Sequence, residues 1–84
     1  MKDKVLVNIY VPFIEKEYEV FLPAGKKISE ITYLIGNSLN EITGGYYTYK
    51  KNERLYNRTT GKEYNSGELL KYTTIRNGTE LVFM

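Results

Sequence analysis

Three groups of residues in this chain carry groups capable of chemistry. Glu15, Glu17 and Glu19 stand at alternate positions, so on an extended backbone Glu17 and Glu19 share one face. Paired carboxylates do acid–base work when a hydrophobic pocket raises the pKa of one of them. The flanking residues supply no such pocket, and three carboxylates fall short of the oxygen set of a calcium loop. They read as the charged cover of a solvated strand. The second group is the glycines. Gly25, Gly36, Gly44, Gly45, Gly61, Gly67 and Gly78 are scattered. Gly61-Lys62 runs into Glu63 with no upstream glycine at phosphate-loop spacing. Turns and a helix cap account for them.

The third group is the most unusual. Of nine tyrosines, Tyr46, Tyr47, Tyr49 and Tyr56 lie among Lys50, Lys51, Arg54 and Arg58. Aromatics interleaved with cations can stack on single-stranded nucleic acid. They are also the residue types enriched at protein-interface hot spots. A third reading has some of them covering the core and packing over arginine stems. The charge balance weakens the nucleic-acid alternative. Twelve basic residues face ten acidic ones, a net of +2. Five lysines and six acidic residues precede Gly44, and seven basic and four acidic residues follow from there. That asymmetry is too small to require a polyanionic partner.

Other chemistries are excluded by composition. The chain has no cysteine and no histidine, so it offers no thiolate nucleophile, no imidazole base and no zinc ligand set of the usual kind. No disulfide, metal or cofactor is implied, and no enzyme activity. No run approaches the roughly 20 apolar residues of a membrane span. Met1-Lys2-Asp3-Lys4 leads straight into a strand pattern and not into a signal peptide. The expected location is cytoplasmic, which makes the Asn-x-Thr triplets at Asn57 and Asn77 chance matches.

The elements that position these residues follow from periodicity. Val5, Val7, Ile9 and Val11 alternate on one face of a first strand, with Leu6 and Tyr10 on the other. Pro12 ends it. Tyr18, Val20 and Leu22 alternate on a second strand closed by Pro23, and the short polar link around Glu15 and Lys16 implies a hairpin. The period then changes. Ile28, Ile31, Leu34, Ile35, Leu39 and Ile42 recur every three or four residues, the pattern of an amphipathic helix that ends at Gly44-Gly45. Tyr46–Lys50 is strand-like in composition, a short strand or an irregular lead-in. Leu55-Tyr56 predicts a strand with Leu55 inward, Thr60-Gly61-Lys62 a turn, and Leu69–Tyr72 a helical turn. Tyr18, Tyr64 and Tyr72 are expected to be buried or half-buried. Ile75 is another inward anchor, Asn77-Gly78 a turn, and Thr79–Met84 a last strand with Leu81 and Phe83 inward. The expected order is β-β-α-β-β-(short helix)-β over one domain, residues 1–84. One helix and one sheet bury each other in a two-layer α+β arrangement.

This order resembles the ubiquitin-like β-grasp, a mixed sheet packed on one main helix, over nearly the whole chain. Within that superfamily it resembles the YukD/EsaB-like family of small bacterial proteins. The pieces that carry the likeness are Val5–Val11, Tyr18–Pro23 and Ile28–Ile42, then Leu55-Tyr56-Asn57-Arg58, Thr60-Gly61, Tyr64 and Ile75-Arg76-Asn77-Gly78. Leu69 and Tyr72 resemble the leucine and tyrosine that lock the loop before ubiquitin's final strand. The sequence reaches Met84 on its last predicted strand with no diglycine tail, so the expectation is a domain that is not conjugated. The resemblance implies a protein-binding accessory or regulator of Gram-positive type VII secretion systems, a monomer or weak homodimer. Strand parity turns Leu6, Tyr10, Tyr56, Val82 and Met84 outward, and Tyr56 and Met84 match in kind the apolar recognition surface of ubiquitin. With Tyr47, Tyr49, Arg54 and Arg58 they form the expected protein interface.

Overall fold

The computed structural model describes residues 3–84. β1 (Lys4–Val11) and β2 (Lys16–Pro23) form an antiparallel hairpin in the register Val11↔Lys16 to Lys4↔Pro23. Pro12–Ile14 makes a single 3-10 turn between them. Glu15 closes that turn with a positive φ of 53° and an N–H bond to the Pro12 carbonyl at 3.1 Å. Val7, Ile9, Val11 and Leu22 are buried on the inner face, with Val5, Tyr18 and Val20 packed at its margin.

Helix α1 (Ile28–Ile42) lies across that face. The Glu30 carboxylate accepts the Lys27 N–H at 3.1 Å, holding the first turn. Ile28, Ile31, Ile35 and Leu39 are buried, while Leu34 and Ile42 sit at the edge of the stripe and are largely exposed. The C-terminus closes with two bonds: Gly45 N–H to the Asn40 carbonyl at 2.8 Å and Gly44 N–H to the Glu41 carbonyl at 3.2 Å. That is the Schellman arrangement, and it needs the positive φ of Gly44, +64°.

β3 (Leu55–Asn57) and β4 (Glu80–Phe83) complete a four-stranded sheet in the order β2-β1-β4-β3. β4 runs parallel to β1 and antiparallel to β3. The Asn77-Gly78 turn delivers β4 to β1: Leu6 N–H donates to Asn77 Oδ1 at 2.8 Å, and Gly78 N–H to the Leu6 carbonyl at 2.8 Å. Leu55, Leu70, Ile75, Leu81 and Phe83 fill the core beneath α1.

Two expectations need correction. Residues 46–54 form no strand, so the observed order has one strand fewer than the sequence pattern suggests. Their hydrogen bonds go instead to the end of α1 and to the Glu53 carboxylate. Tyr72 is not buried but 72% exposed. Residues 70–72 form a 3-10 turn with three residues per turn. The residue that falls beneath Leu70 is therefore Thr73, which is buried and donates from its hydroxyl to the Leu70 carbonyl at 2.7 Å.

Candidate protein interface

The outer face of the sheet is set by strand register. Glu17, Tyr10, Val82 and Tyr56 lie side by side across β2, β1, β4 and β3. Glu19, Asn8 and Glu80 form the next row, and Leu6 lies beside Phe21. The structure thus brings Leu6, Tyr10, Val82 and Tyr56 onto one surface, each half-buried.

Arg58 extends across this surface. Its N–H donates to the Glu80 carbonyl at 2.9 Å, and its guanidinium lies 4.7 Å over the Tyr10 ring. Nη1 then meets Glu17 Oε2 at 3.3 Å. One side chain starting beside β3 therefore reaches a carboxylate on β2. Both partners remain about half in solvent, so the pair contributes under about 1 kcal/mol. Its larger effect is to hold the aromatic face of Tyr10 under a cation. Arg54 is engaged elsewhere, 3.3 Å from Glu63. Its backbone bonds to Met84 in both directions, at 2.7 and 3.1 Å, which extends the β3–β4 ladder by one pair. Met84 is 57% exposed. With Phe13 and Tyr46 it lines a recess of about 320 Å³ at that end of the sheet. Asn8 Oδ1 is buried without a partner among the described residues.

Tyr47 and Tyr49 do not join this face, which corrects their assignment to the interface. Tyr47 is 4% exposed and packs on Phe83. Its backbone is clamped by the end of α1: its N–H donates to Thr43 Oγ1 and its carbonyl accepts from Asn40 Nδ2, both at 2.8 Å. Its hydroxyl donates to Glu53 Oε2 at 2.7 Å. Burial, then that bond, raises the Tyr47 pKa well above 10.0. Tyr49 is half-buried, its ring stacked on Phe83. Two of the four tyrosines between 46 and 58 thus face the core, and with Arg54 paired, the segment presents no open row of stacking rings. Among the described residues no three His, Cys, Asp or Glu side chains are grouped to hold a metal, and no helix is long and apolar enough to cross a membrane.

Sequence reasoning passed over Phe13 and Phe21, both exposed aromatics, and read Leu34 and Ile42 only as part of the helix's apolar stripe, although both are largely exposed. Phe21 was accessible to the same parity argument that places Tyr18, Val20 and Leu22 inside. Phe13 sits in the hairpin turn, where periodicity carries no signal.

No protein-family model matches the chain, and no curated protein matches it. Solved structures do. An N-terminal ubiquitin-like domain studied in solution aligns with a TM-score of 0.75 at 17% identity, over 98% of this chain and 74% of that one. The ubiquitin-like domain of the Mycobacterium tuberculosis type VII secretion system protein ECCD1 aligns at 0.74 and 14% identity, over 96% and 97%. A chain of the ESX-5 inner membrane complex aligns at 0.71 and 16% identity, over 98% of this chain and 21% of that one. At these identities the likeness is one of fold. The chain has the α+β ubiquitin-like β-grasp fold, a mixed sheet packed on one main helix.

Proposed function

We propose that this chain is a ubiquitin-like binding module that recognises a protein through the outer face of its sheet. On this reading it is an accessory or regulator of a type VII secretion system, acting in the cytoplasm and without catalysis. The observation that carries the reading is the continuous row Tyr10–Val82–Tyr56, with Met84 beside Arg54 next to it and Leu6 on the same face beyond Asn8. A half-buried aromatic and aliphatic strip ringed by Glu17, Glu80, Arg54 and Arg58 has the makeup of an interface core with a polar rim. The secretion link is supported by the fold shared with a domain of ECCD1 and a chain of the ESX-5 complex, and by the resemblance to the YukD/EsaB-like family.

The test compares the parent chain with a Tyr56→Ala/Val82→Ala variant. The probes are purified cytoplasmic domains of the type VII membrane components from the organism that encodes the chain. The parent binds one of them, and the variant binds at least about tenfold more weakly while its unfolding stays cooperative. Equal binding by both would remove the outer face from the proposal. Binding of no component would remove the secretion role.

A further inference from the structure

Of the asparagines in the chain, only Asn77 precedes a glycine. Asn77 and Gly78 are both exposed. A glycine has no side chain to shield its amide nitrogen. On a free backbone that nitrogen attacks the carbonyl carbon of the preceding asparagine side chain. Gly78 N would give its proton to solvent base and bond to Asn77 Cγ. Nδ2 would take a proton from water and leave as ammonia. Water then opens the cyclic imide at either carbonyl. Cutting the bond to Cγ gives aspartate. Cutting the bond to the main-chain carbonyl carbon gives isoaspartate, whose main chain runs through Cγ and is one methylene longer. Water enters, ammonia leaves, and nothing is oxidised or reduced.

In the folded chain each reacting group is held. Gly78 N–H donates to the Leu6 carbonyl at 2.8 Å, and Asn77 Oδ1 accepts the Leu6 N–H at 2.8 Å. Two bonds close the turn around them: Thr79 N–H to the Arg76 carbonyl at 3.0 Å, and Arg76 N–H to Thr79 Oγ1 at 2.8 Å. The φ of Gly78 is +89°, and Asn77 has no positive φ, the pattern of a type II turn. There the ψ of Asn77 is near about +120°, which turns the Gly78 nitrogen away from the side chain it must attack. The two Leu6 bonds exist only while β4 lies beside β1. The reaction therefore needs that pairing to open.

We propose that Asn77-Gly78 is a self-modification site, converted to isoaspartate when β4 leaves β1, and that the conversion prevents the sheet from closing again. Ile75 and Leu81, 1% and 0% exposed, anchor the chain on the two sides of the turn. The pairs Asn8↔Glu80 to Tyr10↔Val82 fix β4 directly beyond it. A longer main chain between these anchors moves Gly78 N–H off the Leu6 carbonyl. The β1–β4 pairing is also the link that joins β3 and β4 to the hairpin. An interval of opening is thus recorded in the covalent chain, and the Tyr10–Val82–Tyr56 row is lost with it.

The experiment incubates the folded chain, the chain in urea, and an acetylated, amidated peptide spanning Ile75–Thr79 in mild alkali. Isoaspartate is read by mass spectrometry and by labelled methyl transfer with an isoaspartate O-methyltransferase. The folded chain should react at least about tenfold more slowly than the peptide, because the rate follows the open fraction. The chain in urea should match the peptide. Chains converted in urea are then separated into aspartate and isoaspartate forms and returned to buffer. The aspartate form should regain the parent's hydrogen-exchange protection in β4, since its carboxylate still accepts the Leu6 N–H. The isoaspartate form should not regain it. Freshly made Asn77→Asp should behave as the aspartate form does. Equal rates in the folded chain and the peptide would overturn the proposal, as would parent-like β4 protection in the isoaspartate form. Loss of protection in both forms would trace the effect to charge and overturn it as well. None of these readouts uses a partner, so they bear on the turn and not on the outer-face reading.

Discussion

The ring of Tyr49 occupies the space that a Cβ on Gly36 would fill. Gly36 is buried in the middle of α1, and a methyl group there would collide with the Tyr49 ring. The glycine costs the helix up to about 1 kcal/mol relative to alanine. That loss is offset because the ring closes over the helix backbone, stacked on Phe83 and edge-on to Tyr33.

Gly36→Ala should therefore destabilise the protein, although it raises helix propensity. Displacing the ring outweighs the propensity gain, and a net loss of about 2 kcal/mol is expected, about 10 °C in Tm. The double variant Gly36→Ala/Tyr49→Ala should lose less than the sum of the two single changes, since the collision is then gone. Thermal unfolding of the four proteins measures this. A Gly36→Ala chain as stable as the parent would show that Tyr49 is free to move aside.

Tyr47 gives a prediction in pH. Its hydroxyl is buried and bonded to Glu53, so its folded pKa lies above the ordinary 10.0. Below pH 10.0 both states hold the proton and the contribution is complete. Above it the unfolded chain releases the proton while the folded chain keeps it. Stability then falls, until the folded hydroxyl itself ionises. The parent should lose more stability than Tyr47→Phe between about pH 9 and 11, measured by urea midpoints. Parallel curves for the two chains would mean that the hydroxyl titrates normally.

The Arg58 arm should behave differently. It lies on the surface, so Arg58→Ala is expected to lower stability by less than about 1 kcal/mol. That difference should shrink in about 1 M salt, where screening reaches the ion pair. Arg58→Lys should keep the charge but not the planar seat on Tyr10. Chemical denaturation at low and high salt tests the point. A loss of several kcal/mol would place Arg58 in the structural framework.

Much of this architecture is written in residue alternation. Val5 to Val11 and Tyr18 to Leu22 set the hairpin faces, and the three–four spacing from Ile28 to Ile42 sets the helix. Gly44 signals its end, and the left-handed φ there is the reason. The segment 46–54 was not legible in the same way. Tyrosine suits core and surface equally, and what turns Tyr47 inward is a pair of bonds from Asn40 and Thr43 on a different element. Tyr49 turns inward because Gly36 leaves room, a relation visible only after folding. The outer row Tyr10–Val82–Tyr56 follows from parity. The reach of Arg58 to Glu17 depends on strand order, which no local pattern encodes.

The parallel pairing of β1 with β4 also constrains how the chain is made. Leu6 bonds to Asn77, 71 residues further on, and β3 joins the sheet only through β4. A nascent chain leaving the ribosome can form its hairpin and helix early. The sheet closes only after the last strand has emerged, because contacts this distant must await both ends. Until then β3 pairs only with the short return at Lys62–Tyr64, and the inner face of the hairpin has only the helix stripe for cover. The outer face therefore exists only once β4 has left the ribosome, and a partner that reads that face meets only chains folded through Phe83.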